Sequence, residues 1–142
     1  MGLGPTIQRL MREYKGRVRL VIKQYPYKYR DFAFISSESV LAANEQGKFW
    51  QMHELILKRS PKLDKESLIS YAQEIGLDVA RFKEALDKKS FAPLVERDLS
   101  LARSLDLYNT PTLFINGIKV VGNRPYEYYK KIIEQELKDG KK

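Results

Sequence analysis

At 142 residues, 43% apolar and carrying nine Tyr, six Phe and one Trp, the chain is long enough to bury a core and too apolar to be disordered. The absence of cysteine excludes disulfides, thiolate nucleophiles and Cys-based zinc sites, and a single histidine, His53, argues against a His-based metal site or a Ser–His triad. A net charge of +8 raises nucleic acid as a partner. However, the cations are dispersed over Arg9, Arg12, Lys15, Arg17, Arg19, Lys130, Lys131, Lys138, Lys141 and Lys142, which reads as a solvated basic surface rather than a specific nucleic-acid site.

In chain order, Pro5 to Tyr14 predicts a helix, with Ile7, Leu10, Met11 and Tyr14 on one face and Gly16 as its stop. Val18 to Ile22 is short and rich in β-branched residues, which predicts a strand ended by Tyr25-Pro26. Ser36 to about Arg59 reads as helix, broken or kinked near Gly47 and stopped by Pro61. Asp64 is the expected cap of a helix from Ser67 to Ile75, and Asp78 of the next, which uses Val79, Phe82 and Leu86. Phe91 to Leu105 completes a helical block of some seventy residues. The pattern then changes to period two. Thr112 to Ile115 and Ile118 to Val121 are strands joined by a type I′ turn at Asn116-Gly117, and a last helix opens near Pro125 with Tyr129, Ile132, Ile133 and Leu137 inward.

Thr110-Pro111 directly before the hairpin is the informative pair. Proline cannot donate to a ladder, so its place before a strand asks for a special backbone, and X-Pro is the bond at which the cis form costs least. A cis bond would turn the Thr110 backbone N–H and C=O towards an extended peptide; a trans proline in an ordinary loop is the plain alternative. His53, beside Trp50 and Met52, reads as a packed or capping histidine rather than a ligand. Tyr126, Tyr128 and Tyr129 read as core or surface aromatics. Tyr25, Tyr27 and Tyr29 read as a strand-end cluster, with a groove lining as the sharper possibility.

Thr110-Pro111-Thr112-Leu113-Phe114-Ile115-Asn116-Gly117, the following strand, Gly122 and the helix near Pro125 resemble the C-terminal end of DsbA-like thioredoxin-fold oxidoreductases. Upstream, Arg17 to Pro26 is similar to the strand after that family's active-site helix. Glu45 to His53 is similar to the start of its inserted helical domain, and Tyr71 to Asp78 to that domain's interior. The resemblance implies an α/β, thioredoxin-like fold with an incomplete sheet. Residues 1–26 and 107–142 would form the thioredoxin-like part and residues 27–106 the inserted helical domain. It further implies a thiol–disulfide oxidoreductase domain, inactive in this cysteine-less form. No residue of the chain would be catalytic, no metal or cofactor would be held, and Thr110 and Pro111 would contact an extended peptide or protein substrate. Two alternatives stay open: a glutathione-binding relative of the kappa glutathione transferase or chromene-carboxylate isomerase type, and a non-catalytic peptide-binding module.

Relatives carry a Pro-Thr pair like Pro5-Thr6 about five residues beyond the second cysteine of Cys-X-X-Cys, which would put that cysteine immediately before Met1. An internal methionine of a longer protein, a decayed gene and a short protein with a non-redox role are three ways to arrive at such a start. With the strand between Val18–Ile22 and Thr112–Ile115 missing, the chain is expected to dimerise, swap elements or close its remaining strands together. No run approaches the roughly 18 apolar residues of a membrane span, and no signal peptide precedes the first helix. The expectation is therefore no membrane contact and a cytoplasmic location as translated, or an extracytoplasmic one for a longer natural protein.

Overall fold

The computed structural model describes residues 2–140; Met1 and the tail lysines Lys141 and Lys142 lie outside the described residues. The order of elements is α1 (Leu3–Glu13), α2 (Ala33–Glu45), α3 (Phe49–Arg59), α4 (Lys65–Glu74), α5 (Val79–Asp87), α6 (Ala92–Ser104), β1 (Thr112–Ile115), β2 (Ile118–Val121) and α7 (Tyr126–Asp139). The chain divides into two compact units, Met1–Ile22 with Asp106–Lys142, and Lys23–Leu105.

The first unit holds α1, the hairpin and α7. Asn116 and Gly117 both adopt positive φ, 46° and 87°, as a type I′ turn requires, and this sets the register Thr112↔Val121, Leu113↔Val120, Phe114↔Lys119 and Ile115↔Ile118. Alternation along the strands then sends Leu113, Ile115 and Val120 into a core with Leu10 of α1, Tyr14 at its C-terminal cap, and Tyr129 and Ile133 of α7. Polar ties brace α1 on α7. Tyr14 donates to Glu134 at 3.0 Å, Tyr126 donates to Glu13, and the Arg9 guanidinium lies 3.6 Å over the Tyr126 ring. Because Glu13 accepts the Tyr126 hydroxyl proton, the phenol is pushed up to about 12.

The predicted strand Val18–Ile22 is not a strand. It forms no ladder with β1 or with any other described segment, and the sheet is two-stranded, β1 beside β2. Its burial nevertheless alternates, with Val18, Leu20 and Ile22 half-buried and Arg19 and Val21 exposed. The side-chain pattern of a strand is present; the backbone partner is not, and β structure needs both. The expected closure of this segment onto Thr112–Ile115 does not occur.

The second unit is all helical. Gly47, at φ 73°, separates α2 from α3, as its place in the long helical pattern predicted. Asp64 accepts from the Ser67 N–H and Asp78 from the Arg81 N–H, both at 3.0 Å, so both expected caps are in place. The core gathers Val40, Ala42 and Ala43 of α2 against Met52, Leu68, Phe82 and Leu86, of which Met52, Leu68 and Phe82 are all but inaccessible. No helix among the described residues is long and apolar enough to cross a membrane.

One carboxylate sits badly in this core. Glu38 of α2 is buried, and its Oε1 has no hydrogen-bond partner. Burial holds its carboxyl above the ordinary range, against the opposing pull of the Lys89 ammonium. The native state therefore binds this proton more tightly than the unfolded chain, and stability falls as pH rises through the carboxylate range towards the raised native pKa. Glu38→Gln is expected to raise the melting temperature at pH 7 and to lose that gain at acid pH. Parallel melting curves across pH check this, and a gain independent of pH would count against it.

Candidate functional site

Thr110 and Pro111 lie in the short segment between α6 and β1. Asp106, at φ 51°, turns the chain out of α6, and Tyr108, Asn109 and Thr110 are exposed while Pro111 is half-buried. The Thr110–Pro111 peptide bond is cis, as is Ser60–Pro61. Hydrogen bonds hold the segment and the turn it leans on. Thr112 Oγ1 donates to the Asn109 carbonyl at 2.8 Å, fixing the bend before the strand. The Gly122 N–H donates to the Pro111 carbonyl at 2.8 Å, carrying the β1–β2 pairing one residue beyond Thr112↔Val121. Tyr129, fully buried, donates its hydroxyl to the Gly122 carbonyl at 3.3 Å and accepts from the Arg124 N–H at 3.0 Å.

Gly122 is the hinge of this arrangement. Its φ of 79° is a conformation that residues with a Cβ adopt at a cost, so glycine is needed where the chain leaves β2 and still hands its N–H to Pro111. The site is thus an exposed threonine and a half-buried proline on a backbone anchored through Gly122 to the Tyr129 hydroxyl. It offers backbone groups, a hydroxyl and an apolar ring. The Tyr108 hydroxyl donates to the Asp106 carboxylate at 3.3 Å within the segment, and with no cysteine in the chain the segment itself supplies no thiol for disulfide exchange.

A Thioredoxin family model matches residues 4–135. The chain belongs to the thioredoxin family. Among curated relatives, the Na(+)/H(+) antiporter NhaA 3 of Salinispora tropica is 34% identical over 114 residues, which cover 80% of this chain and 17% of the antiporter. Disulfide bond formation protein D of Bacillus subtilis is 30% identical over 114 residues, 75% of this chain and 50% of that protein. The chain therefore spans half or less of the length of these relatives. Among solved structures, the thiol-disulfide exchange protein alpha-DsbA2 of Wolbachia pipientis aligns with a TM-score of 0.81 at 19% identity, covering 94% of this chain and 72% of that one. BdbD of Bacillus subtilis aligns at 0.80 and 23%, covering 92% and 76%. These likenesses show a thioredoxin-like fold that matches DsbA-like structures, with helices dominating and a two-stranded sheet.

Other residues singled out in the sequence fall elsewhere. His53 stacks on Phe49 (5.6 Å between centroids, 17° between planes) and meets Trp50 edge-on at 6.0 Å, and burial pushes its imidazole pKa down. It is a packed histidine, and no group of three or more acidic or histidine residues among those described is placed to hold a metal ion. The sequence reading missed Asp98, a buried carboxylate on α6 that accepts from the Gln24 N–H at 2.9 Å and the Lys23 ammonium at 3.3 Å. The signal was available. Asp98 falls in register with Val95 and Ala102 on the face that α6 buries, where a carboxylate needs donors.

Proposed function

We propose that this chain supplies the substrate-facing scaffold of a DsbA-like thiol–disulfide oxidoreductase, with Thr110 and Pro111 contacting an extended peptide or protein substrate. The observation that carries this reading is the anchoring of Pro111, through Gly122 and Tyr129, directly before β1 in a chain matched by the family model from end to end of its described core. Such a contact would use main-chain groups for affinity and neighbouring side chains for selectivity. In the same reading residues 27–106 are the helical insertion and residues 1–26 and 107–142 the thioredoxin-like part. Without a thiol, the chain binds and presents but does not exchange.

The test has two arms. In an insulin-reduction assay with excess dithiothreitol, the chain should leave the rate at that of buffer. A photoreactive residue in place of Thr110 should crosslink a reduced, alkylated unfolded protein, and Thr110→Arg should weaken binding of that protein by about tenfold through bulk and charge at the contact. Binding indifferent to Thr110→Arg would overturn the assignment.

Self-association belongs to the same reading. Both outer edges of the two-stranded sheet lack a ladder partner among the described residues, and Phe114, Ile118 and Val121 are exposed apolar side chains on the hairpin. A chain that sediments only as a monomer at micromolar concentration and above would dismiss it.

A further inference from the structure

The second unit carries a cleft that nothing in the thiol–disulfide reading uses. It encloses about 390 Å³ and is lined by Tyr27, Lys28, Arg30, Phe32, Phe34 and Ile35. Its lining is mostly aromatic and aliphatic, yet two cations stand among these side chains and no carboxylate lines it. Neither Lys28 nor Arg30 has an acidic partner among the described residues, whereas Arg9, Arg59, Lys65 and Arg81 are all paired. The first turn of α2, which contributes Phe34 and Ile35, also contains no acidic residue, so the positive end of the helix adds to the same field.

The backbone of the cleft is strained where burial does not require it. Phe32 sits at φ 62° immediately before α2, a conformation unfavourable for a bulky side chain, and it remains 47% exposed. The bend is held by Arg30 N–H to Tyr27 carbonyl at 3.1 Å and Ala33 N–H to Arg30 carbonyl at 3.3 Å. Phe32 caps α2, its carbonyl accepting from the Ser36 N–H at 2.9 Å, while its ring is left largely exposed at the cleft.

We infer that this cleft is a docking site for an extended peptide in which an acidic residue neighbours an aromatic or aliphatic one. The apolar side chain enters between Phe32, Phe34 and Ile35, and the carboxylate meets Lys28 and Arg30, where charge-assisted hydrogen bonds replace the missing acidic partners. A single-stranded nucleic acid fits less well. Tyr27 and Tyr29 stack on each other at 5.1 Å and 26°, which leaves no gap for a base between them.

The test is fluorescence anisotropy on the full chain with three labelled probes: a peptide alternating Asp with Phe and Leu, the same peptide with Lys for Asp, and a short oligothymidylate. The acidic peptide should bind, should weaken by about tenfold or more in Lys28→Glu/Arg30→Glu, and should weaken with added salt. The basic peptide should bind the wild type at least about tenfold more weakly than the acidic one and should gain affinity in the charge-reversed variant. Lys28 and Arg30 are exposed, so charge reversal should leave the fold intact, and a melting curve of the variant checks this. Tyr29→Ala, at a side chain 76% exposed beside the cleft, gives a second variant without charge reversal and should leave the acidic peptide dependent on the two cations. In a Thr110→Arg background the charge reversal should still weaken the acidic peptide by about tenfold, which separates the cleft from the substrate contact proposed above. Tighter binding of the oligothymidylate, equal binding of both peptides, or no response to charge reversal would each overturn the assignment.

Discussion

Tyr129→Ala is expected to destabilise the protein by about 3–5 kcal/mol, the range for truncating a fully buried aromatic side chain, while Tyr129→Phe removes only the hydroxyl and is expected to cost about 1–2 kcal/mol. The separation matters because the two changes act on different things. The ring fills the core that α1, the hairpin and α7 share, with Leu10, Val120 and Ile133 around it. The hydroxyl joins Gly122 to Arg124, and Gly122 in turn donates to Pro111. The phenylalanine variant should therefore stay folded while its Gly122 and Arg124 amide resonances move, with the shift reaching Thr112. Urea denaturation followed by amide NMR checks both parts. A phenylalanine variant with wild-type stability and an unmoved Gly122 amide would show that the hydroxyl does not anchor the Thr110–Pro111 segment.

Asp98→Ala is expected to cost about 2–4 kcal/mol, and Asp98→Asn about half as much. Asp98 is 6% exposed and receives the Gln24 N–H, the Lys23 ammonium and, at 3.5 Å, the Arg97 guanidinium. The backbone bond should dominate, because the Lys23 side chain is half exposed and such a pair is screened by water and salt. Alanine leaves the Gln24 N–H without its partner; asparagine can keep an acceptor there, but it loses the charge and turns the other oxygen into a donor facing Lys23 and Arg97. Lys23→Ala should change stability by under about 1 kcal/mol. Urea denaturation of the three variants gives the order, and a Lys23→Ala loss equal to that of Asp98→Ala would reverse the reasoning.

Much of this architecture was legible because the signals were local. Asn116-Gly117 between two apolar runs, Asp64 and Asp78 three residues before the N–H groups they cap, and Gly47 inside a long helical pattern each act over a few residues. Val18–Ile22 failed for the opposite reason. Its composition and even its alternating burial suit a strand, but a ladder is a property of two segments and the second is not among the described residues. Asp98 and Glu38 show the same limit. Each lies on a buried helix face, yet one has three donors and the other an unpartnered oxygen, a difference set by residues far away in sequence. For the site, Thr110 and Pro111 stood out by their place before the hairpin, but the Tyr129 hydroxyl bond to Gly122 could not be read from the residues of the loop itself.

The two cores also differ in extent. Twelve buried residues make up the cluster of the helical unit and five that of the unit with the hairpin. Local opening draws on the contacts it breaks, so the hairpin and the Thr110–Pro111 segment belong to the part of the molecule that opens at the lower free energy. A molecule that docks there and adds apolar contacts would slow hydrogen exchange along β1 and β2 more than along α4 or α5. Occupancy of the segment would thus be recorded as a redistribution of protection between the two units, with no change of shape required.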